Sequence, residues 1–388
     1  MSTNRPSRRG FLHGRSAVRE LAIRGDAAAQ QPLASERDRL LVSVRRRAMA
    51  CDWEAQLSAT RDDDSMEHVF AALDLVESLE DQMTVYRDDS EMIRINRRAA
   101  TGPVPVEPRL FAVLQLAQRL HHETDGAIDI TSGPLSDAWG FSRRHGRVPT
   151  EAEIAAALAR VGMDQIVLDE SNQTIAFRRP GIAINLNCIG KGYALDRMAE
   201  RLAEGGVDDY LLHGGKSSVL ARGEQPGVRN TDKETRRQGD RETNSEGSPC
   251  LLVPPSPCLS PGWSIGVRHP LRPAQRLAEF HLRHQSLSTS GSGTQFFRHR
   301  GRRYGHILDP RTGRPAEGIH SVTVIAPTAA VADALSTAFY VMGPDKVTGY
   351  CENRPEIAAL FVLPSPHAAE VQLLAFNLDD SQWRQLGS

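Results

Sequence analysis

The sequence predicts an α+β fold in which antiparallel sheets are flanked by helices. Its 388 residues are 40% hydrophobic and 24% charged, an ordinary globular composition that excludes wholesale disorder, collagen and coiled coil. Some segments carry apolar residues at helical spacing, whereas others are short apolar runs separated by turn residues. The two kinds of segment do not alternate strictly, which favours α+β over a doubly wound parallel sheet.

Five segments carry the apolar spacing or the end signals of helices. One begins at Thr150, where Glu153 completes a capping box, and ends at Gly162. The others begin near Met66, follow Pro108, or cover residues 190–203 and 330–342. Strand-like segments are predicted at residues 165–168, 174–177, 182–187, 263–267, 277–282, 286–290, 321–326, 359–363 and 371–376.

The chain is predicted to form one domain at residues 46–388, preceded by a mobile Arg-rich arm at residues 1–45. Residues 223–262 interrupt that domain with no aromatic residue, six prolines, five glycines and eleven charges in 40 positions. Such a composition cannot bury enough apolar surface to offset the entropy of ordering the chain. We therefore expect a disordered surface insertion that joins two strands.

The net charge does not indicate an anionic partner, because 47 basic residues nearly balance 48 acidic ones. Nucleic acid is therefore not a predicted partner. Lysine accounts for four of the basic residues, so a lysine inside a motif stands out. No apolar run approaches the roughly 20 residues that span a bilayer, so no transmembrane segment is predicted. Five cysteines without a CxxC pair do not indicate a zinc ribbon.

The N-terminal residues 7–12, Ser-Arg-Arg-Gly-Phe-Leu, are similar to a twin-arginine export signal. The apolar stretch that should follow is instead interrupted by the charged residues Arg15, Arg19, Glu20, Arg24 and Asp26. The sequence therefore leaves the compartment open between cytoplasmic and exported.

The segment 321–338 carries the first candidate metal ligands. Thr328 can cap the helix that follows the strand, and Asp333 and Thr337 then lie four residues apart on one helical face. A carboxylate and a hydroxyl are hard oxygen donors of the kind that suits Mg²⁺, which completes its shell with water and substrate phosphates. Alternatively, Thr337 bonds back to the carbonyl of the preceding turn and Asp333 is a solvated helix charge.

Two further segments carry candidate side chains. His306 stands at a predicted strand end, just before the turns of residues 309–313, where an imidazole can reach a cleft, although a loop histidine is often plain polar surface. Lys191 lies between two glycines at a predicted helix start. The backbone N–H groups of a helix start, together with an ammonium, form a natural phosphate cradle.

Three other segments do not decide between a ligand contact and a plain turn. Residues 214–215 are a Gly-Gly pair after a buried strand, but Tyr210 stands where a P-loop needs its first glycine. Residues 289–293 are rich in hydroxyls and glycine. Residues 124–134 are followed by two aromatic residues whose rings pack either a planar ligand or the core.

Taken in order, these segments resemble the ApbE family of FAD:protein FMN transferases. The similarity runs from about residue 65 to about residue 345 and is broken by the insertion. Seven ordered motifs carry it, at residues 90–96, 126–129 with 139–141, 190–196, 214–215, 289–291, 306–315 and 332–337.

The resemblance implies a single flavin-transferase domain that uses FAD as substrate, releases AMP and esterifies FMN to a Thr or Ser hydroxyl. The acceptor would be a flavoprotein with a Ser/Thr-Gly-Ala-Thr-like segment. The resemblance also implies Mg²⁺, with Asp333, Thr337 and the carbonyl of Cys188 as ligands. The FAD-contacting residues that it implies are Ala127, Ile128, Asp129, Asn185, Lys191, Asp196, Thr289, Ser290, His306 and Ile307.

For the transfer itself, Mg²⁺ and Lys191 are expected to neutralise the charge on the transferred phosphate. Either His306 or Asp309 can take the proton of the incoming hydroxyl. We prefer His306 as general base, because an unperturbed histidine titrates near neutrality.

The chain departs from the family pattern at three positions. Asn185 stands where the family usually has Asp, and Asn187 and Cys188 stand where it has small residues. Asn185 keeps hydrogen-bonding capacity but removes a charge, which bears on FAD or metal affinity. Two alternative functions therefore stay open, a Mg²⁺-dependent FAD pyrophosphatase and a non-catalytic FAD-binding protein.

Overall fold

The computed structural model describes residues 40–59, 64–142, 145–225, 262–293, 295–367 and 370–386. The helices are α1 (Ser65–Met83), α2 (Glu91–Arg98), α3 (Pro108–Glu123), α4 (Gly133–Ala138), α5 (Glu151–Leu158), α6 (Gly190–Glu204), α7 (Ala329–Met342) and α8 (Pro344–Glu352), with a 3₁₀ turn at Met163–Gln165. The strands are β1 (Leu40–Ala48), β2 (Cys51–Ala59), β3 (Val104–Pro105), β4 (Ile166–Asp169), β5 (Thr174–Phe177), β6 (Tyr210–Gly214), β7 (Ser218–Arg222), β8 (Trp263–Arg268), β9 (Arg276–Leu282), β10 (Gln285–Gly291), β11 (Phe296–His299), β12 (Arg302–Gly305), β13 (Leu308–Asp309), β14 (Arg314–Pro315), β15 (Ser321–Ala326), β16 (Ala358–Pro364), β17 (Val371–Phe376) and β18 (Trp383–Gln385).

An eight-stranded sheet with the order β1-β2-β6-β7-β10-β15-β16-β17 organises the molecule. Every neighbouring pair in it is antiparallel. Smaller sheets, β18-β9-β8 and β3-β5-β4, and two hairpins, β11-β12 and β13-β14, complete the strands. The predicted α+β class with antiparallel sheets and flanking helices is confirmed.

Both faces of the large sheet are covered in its central part. On one face lies the main core, to which α1, α6 and α7 contribute. On the other face a second core forms between the large sheet and the sheet β18-β9-β8, around Trp263 and Phe280. All six residues of β15 are buried for this reason, the polar Ser321 and Thr323 included.

The five predicted helices are present in the structure. In α5, Thr150 Oγ accepts a hydrogen bond from the Glu153 backbone and Glu153 bonds back, as a capping box requires. This helix ends at Leu158, before the predicted end at Gly162. The backbone of Gly162 has a φ of 154°. The other helix predictions match α1, α3, α6 and α7 to within a residue or two.

The strand predicted at residues 182–187 is wrong, since this segment has no regular secondary structure. Its backbone is held by a side chain instead of a neighbouring strand: Asn96 Nδ2 donates to Ile184 O at 2.9 Å, and Ile184 N donates to Asn96 Oδ1 at 2.7 Å. Asn185 N also donates to Ile130 O at 2.7 Å. The other strand predictions correspond to strands of the structure.

The boundary of the predicted arm is wrong at its C-terminal end, because β1 begins at Leu40 and pairs with β2 along its whole length. Residues 1–39, including the similarity to an export signal, lie outside the described residues, as do residues 226–261 of the predicted insertion. The β1-β2 hairpin, α2, α4, α8, β11 and β18 were not predicted, whereas β12 ends at Gly305, next to the strand end predicted at His306. Within the described ranges, no helix is both long and apolar enough to cross a bilayer.

Candidate functional site

The site is built where the first turn of α6 meets α7. Gly192 makes this approach possible, because a Cβ atom at this position would lie 2.1 Å from the carbonyl oxygen of Ala329. The two helices therefore touch backbone to backbone. That contact places Lys191, at the start of α6, beside Asp333 on α7.

The Asp333 carboxylate is buried, with 4% of the residue exposed, and is surrounded by donors. Its Oδ1 accepts hydrogen bonds from the hydroxyls of Ser218 and Ser288, each at 3.1 Å, and its Oδ2 accepts one from Gly192 N at 3.1 Å. Lys191 Nζ lies 3.2 Å from Oδ1 and 3.3 Å from Oδ2. The alternative interpretation of Asp333 as a solvated helix charge is therefore wrong.

Lys191 and Asp333 form a charged pair. Burial of the ammonium lowers the pKa of Lys191, but the neighbouring Asp333 carboxylate outweighs this effect and the pKa stands above its ordinary value. Lys191 is therefore an ammonium at neutral pH. Its side chain keeps 27% of its surface exposed, so part of it faces the space outside the pair.

Thr337 lies one helical turn beyond Asp333 and faces β10. Its Oγ1 is 3.1 Å from Ser290 Oγ and 3.5 Å from the carbonyl oxygen of Asp333, so the predicted back-bond is present only at the limit of hydrogen-bond distance. Cys188 belongs to the turn before α6. Burial, and to a smaller extent the Asp333 carboxylate, raises the pKa of the Cys188 thiol to about 12. The thiol therefore stays protonated. The predicted metal ligand at Cys188 is its backbone carbonyl oxygen.

His306 follows β12 directly and is half-buried. Its Nδ1 lies 3.1 Å from the carbonyl oxygen of Gln295. Because a carbonyl only accepts, Nδ1 carries the proton in the neutral ring and Nε2 carries the lone pair. Burial lowers the pKa of His306, the Gln295 bond raises it, and the positive charge of Lys191 lowers it further, leaving the pKa below its ordinary value. His306 is therefore a neutral imidazole near the Lys191 ammonium.

Asp309, the other candidate base, is held by Arg311. Its Oδ1 accepts hydrogen bonds from Arg311 N at 2.9 Å and Arg311 Nε at 2.8 Å, and its Oδ2 accepts one from the same guanidinium at 2.8 Å. The guanidinium also reaches toward the carbonyl oxygen of Asp125, at 3.5 Å. Asp309 therefore positions an arginine against the turn that precedes Ala127.

The predicted FAD-contacting segment at residues 127–129 is buried. Asp129 Oδ1 accepts from the amide and the hydroxyl of Thr131, at 2.7 and 2.6 Å, and Asp129 Oδ2 accepts from Met163 N at 3.0 Å. The Asp129 carboxylate thus already serves protein donors that fix the local turn. Its contact with FAD stays a prediction.

Asp196 binds the start of α7. Its two carboxylate oxygens accept hydrogen bonds from Ala329 N at 2.7 Å and Ala330 N at 2.8 Å, so it satisfies the first amides of α7. Burial raises the pKa of Asp196 to about 6 despite these bonds. The carboxyl also lines a cavity of about 720 Å³ between α3 and α6, to which neither Lys191 nor Asp333 contributes. Its contact with FAD stays a prediction.

The other residues that were predicted to contact FAD form hydrogen bonds to groups of the protein. Asn185 Oδ1 accepts from Asn187 N at 3.1 Å, which closes the turn ahead of α6. Thr289 Oγ1 is 2.9 Å from Thr323 Oγ1, on the neighbouring strand. Ile307 is buried, and its carbonyl accepts from Ala316 N at 2.9 Å. Trp139 and Phe141, the two aromatic residues noted in the sequence, pack with Ile154, Phe297 and Tyr304 in a small core cluster.

Sequence reasoning missed the two serines that bind Asp333. Ser218 follows the Gly-Gly pair at the start of β7, and Ser288 lies in β10 with a period-two pattern of hydroxyls. That alternation is the signal that was available, because residues two apart on a strand share a face. It did not identify which carboxylate the hydroxyls would meet.

The amino-acid sequence and the fold of this chain are similar to those of known proteins. The sequence pattern of the ApbE family matches residues 49–361. The chain is 30% identical to the FAD:protein FMN transferase of Escherichia coli (strain K12) over 309 residues, which are 77% of this chain and 78% of that one. It is 32% identical to the FAD:protein FMN transferase of Salmonella typhimurium over 270 residues, which are 68% of each. The structure is similar to that of the Pseudomonas stutzeri flavinyl transferase ApbE in its apo form, with a TM-score of 0.70 and 26% identity over 87% of this chain and 95% of that one.

Proposed function

This chain belongs to the ApbE family of flavin transferases, and from that premise we propose that it moves FMN from FAD to a Thr or Ser hydroxyl of an acceptor flavoprotein, with release of AMP and dependence on Mg²⁺. The observation that carries the proposal is the Lys191–Asp333 ion pair, whose carboxylate is buried against the hydroxyls of Ser218 and Ser288. Phosphoryl transfer to a hydroxyl uses neutralisation of phosphate charge and a proton acceptor. The Lys191 ammonium and a metal ion at Asp333 would supply the first, and the neutral His306 imidazole would supply the second.

The donor set fits a magnesium ion in its chemistry. The Asp333 carboxylate, the Thr337 hydroxyl and the Cys188 carbonyl are hard oxygen ligands, and Mg²⁺ needs few protein ligands when substrate phosphates and water complete its shell. The carboxylate already accepts from two serine hydroxyls, one amide and the Lys191 ammonium, and it offers about four lone-pair sites. We therefore expect a bound cation to replace the Lys191 ammonium at Asp333.

That exchange would free Lys191 for the substrate. Its ammonium is on a flexible side chain at the start of α6, which is the positive end of the helix dipole. A diphosphate at this position would meet both the ammonium and the helix start. When bound, the magnesium ion would supply further positive charge to the diphosphate of FAD.

The reaction then needs a proton acceptor. The acceptor hydroxyl oxygen forms a bond to the FMN phosphorus, the bond from that phosphorus to the bridging oxygen breaks, and AMP leaves with the bridging oxygen. His306 Nε2 takes the proton of the attacking hydroxyl, because Nδ1 donates to Gln295 O and only Nε2 has a free lone pair. Asp309 is less suited to this role, since the Arg311 guanidinium occupies both of its oxygens.

Replacing His306 by alanine is expected to lower the rate of flavin transfer by roughly 10²- to 10⁴-fold, the usual contribution of a general base. The wild-type rate should fall with decreasing pH along a limb whose pKa lies below the ordinary histidine value, because burial and Lys191 disfavour the imidazolium. This limb should be absent from the pH profile of His306→Ala. His299→Ala, which removes an exposed histidine of the adjacent hairpin, is the matched control and should leave rate and profile unchanged. An unaltered acid limb in His306→Ala would exclude His306 as the base.

The direct test of the proposed function combines the purified protein with FAD, Mg²⁺ and a peptide that carries a Ser/Thr-Gly-Ala-Thr-like segment. The expected result is a peptide with the mass and the covalent fluorescence of FMN, together with an equal amount of AMP. A matched peptide with Val in place of the acceptor Thr should stay unlabelled, and chelation of Mg²⁺ should stop both products. AMP and free FMN without labelled peptide would indicate the pyrophosphatase, and intact bound FAD would indicate a non-catalytic flavin-binding protein.

A further inference from the structure

We infer that His121, His122 and Asp164 form a binding site for a divalent transition-metal ion, separate from the site at Asp333. One nitrogen of each imidazole and one carboxylate oxygen of Asp164 lie within 4.8 Å of one another. His121 is half-buried, whereas His122 and Asp164 are exposed and accessible to an ion from solvent. The inference rests on this geometry and does not depend on the proposed transferase function.

The fold fixes the two parts of this site relative to each other. The histidines belong to the last turn of α3, and Asp164 belongs to the 3₁₀ turn Met163–Gln165. Asp129 Oδ2 accepts from Met163 N at 3.0 Å, and Thr131 Oγ1 accepts from Gly162 N at 2.8 Å. These bonds hold the 3₁₀ turn against the chain that leaves α3, so a metal ion would not have to order the site when it binds.

The surroundings of His121 prepare it as a ligand. Its Nδ1 is 2.8 Å from the carbonyl oxygen of Ile128 and 3.6 Å from Asp129 Oδ2. Because both partners only accept, Nδ1 carries the proton and Nε2 keeps the lone pair that a metal takes. Metal-binding histidines typically donate their second nitrogen to a carbonyl or carboxylate in this way. The C-terminal end of α3 also favours a cation, because the helix dipole is negative there.

The ligand set selects the class of ion. Two imidazoles and one carboxylate suit Zn²⁺, Co²⁺ or Ni²⁺ better than Mg²⁺ or Ca²⁺, which prefer oxygen donors alone. Three protein ligands leave a coordination position for water or another donor. The ion would connect α3 to the 3₁₀ turn beside Ile128, and would therefore stiffen the segment that precedes residues 129–131.

Cobalt is a suitable probe because its d–d absorption reports the ligands directly. We expect the full-length protein, with excess Mg²⁺ present, to bind one Co²⁺ with an absorption spectrum that lacks the charge-transfer band of a thiolate ligand. His122→Ala and Asp164→Asn should each weaken this binding ~10-fold or more. Zn²⁺ should raise the melting temperature of the wild-type protein but not of these variants.

Two control variants decide whether the signal belongs to this site. His367→Ala removes an exposed histidine elsewhere on the surface and should bind Co²⁺ as the wild type does. Asp333→Asn should also leave Co²⁺ binding unchanged, which separates this site from the proposed magnesium site. Failure of the wild type to bind micromolar Co²⁺, a thiolate band in its spectrum, or equal binding by His122→Ala and Asp164→Asn would overturn the inference.

Discussion

Replacing Gly192 by alanine is expected to destabilise the protein by about 3 kcal/mol or more, a large effect for the addition of one methyl group. The new Cβ would lie 2.1 Å from the carbonyl oxygen and 2.4 Å from the carbonyl carbon of Ala329, and 2.7 Å from Ala330 Cα. All three atoms belong to backbone, so no side chain can rotate away to make room. α7 would have to move as a unit, and with it Asp333, so flavin transfer should be lost as well.

The matched control for this variant is Gly190→Ala, two residues earlier in the same helix. A Cβ at Gly190 would meet only side-chain atoms at ordinary contact distances, 3.7 Å from Leu186 Cβ and 3.9 Å from the end of Met83. Urea unfolding followed by circular dichroism should therefore give a stability near that of the wild type for Gly190→Ala and a much lower midpoint for Gly192→Ala. Equal midpoints for the two variants would show that α6 and α7 do not approach as closely as described.

Asp333→Asn is expected to reduce flavin transfer by roughly 10³-fold, at the upper end of what one removed electrostatic contact costs in a preorganised site. The amide keeps the shape of the carboxylate but has no charge for a cation or for the Lys191 ammonium, and its NH₂ group would face the donors that now bind a carboxylate oxygen. Steady-state rates at increasing Mg²⁺ concentration should show that excess magnesium does not restore activity. Asp345→Asn, at an exposed position in the first turn of α8, is the matched control and should behave as the wild type.

A second substitution at the same position separates charge from folding. Both variants remove the charge that faces Lys191, but Asp333→Ala also removes the acceptor of the Ser218 and Ser288 hydroxyls and of Gly192 N, and each buried donor left unsatisfied costs about 1–3 kcal/mol. Asp333→Asn should be clearly more stable than Asp333→Ala in urea unfolding while being as inactive. Substantial transferase activity in a folded Asp333→Asn protein would refute the role given to this carboxylate.

Much of the fold could be predicted from local pattern, because α1 and α3 bury one face, most of α7 is buried and β15 is buried on both faces. These are the cases in which the spacing of apolar residues directly reflects burial. The cap at Thr328 correctly predicted the start of α7 and hence the helical position of Asp333, but Lys191 lies beside Asp333 because α6 and α7 touch at Gly192. The assignment of Asp333 and Lys191 as metal and phosphate ligands came from the order of motifs rather than from spacing.

The rest depended on contacts that no local pattern encodes. The segment 182–187 has the composition of a strand, but it bonds to the side chain of Asn96, 88 residues earlier. Ser218 and Ser288 are 70 residues apart and meet at one oxygen of Asp333. The Asp129 carboxylate accepts a hydrogen bond from Met163 N, in a 3₁₀ turn that begins more than 30 residues later. The partners of such polar side chains depend on the folded arrangement of the chain. The sequence therefore shows that these side chains can form hydrogen bonds, but it does not show with which groups.

The orientation of β7 has a consequence for protein engineering. Ser218, at the first position of this five-residue strand, contacts Asp333, whereas the long connection to β8 leaves after Arg222, at the other end. At about 3.3 Å per residue, the two ends are separated by roughly 13 Å. Shortening that connection, or fusing a reporter into it, should therefore leave flavin transfer intact, which makes the connection a suitable attachment point for immobilising the enzyme.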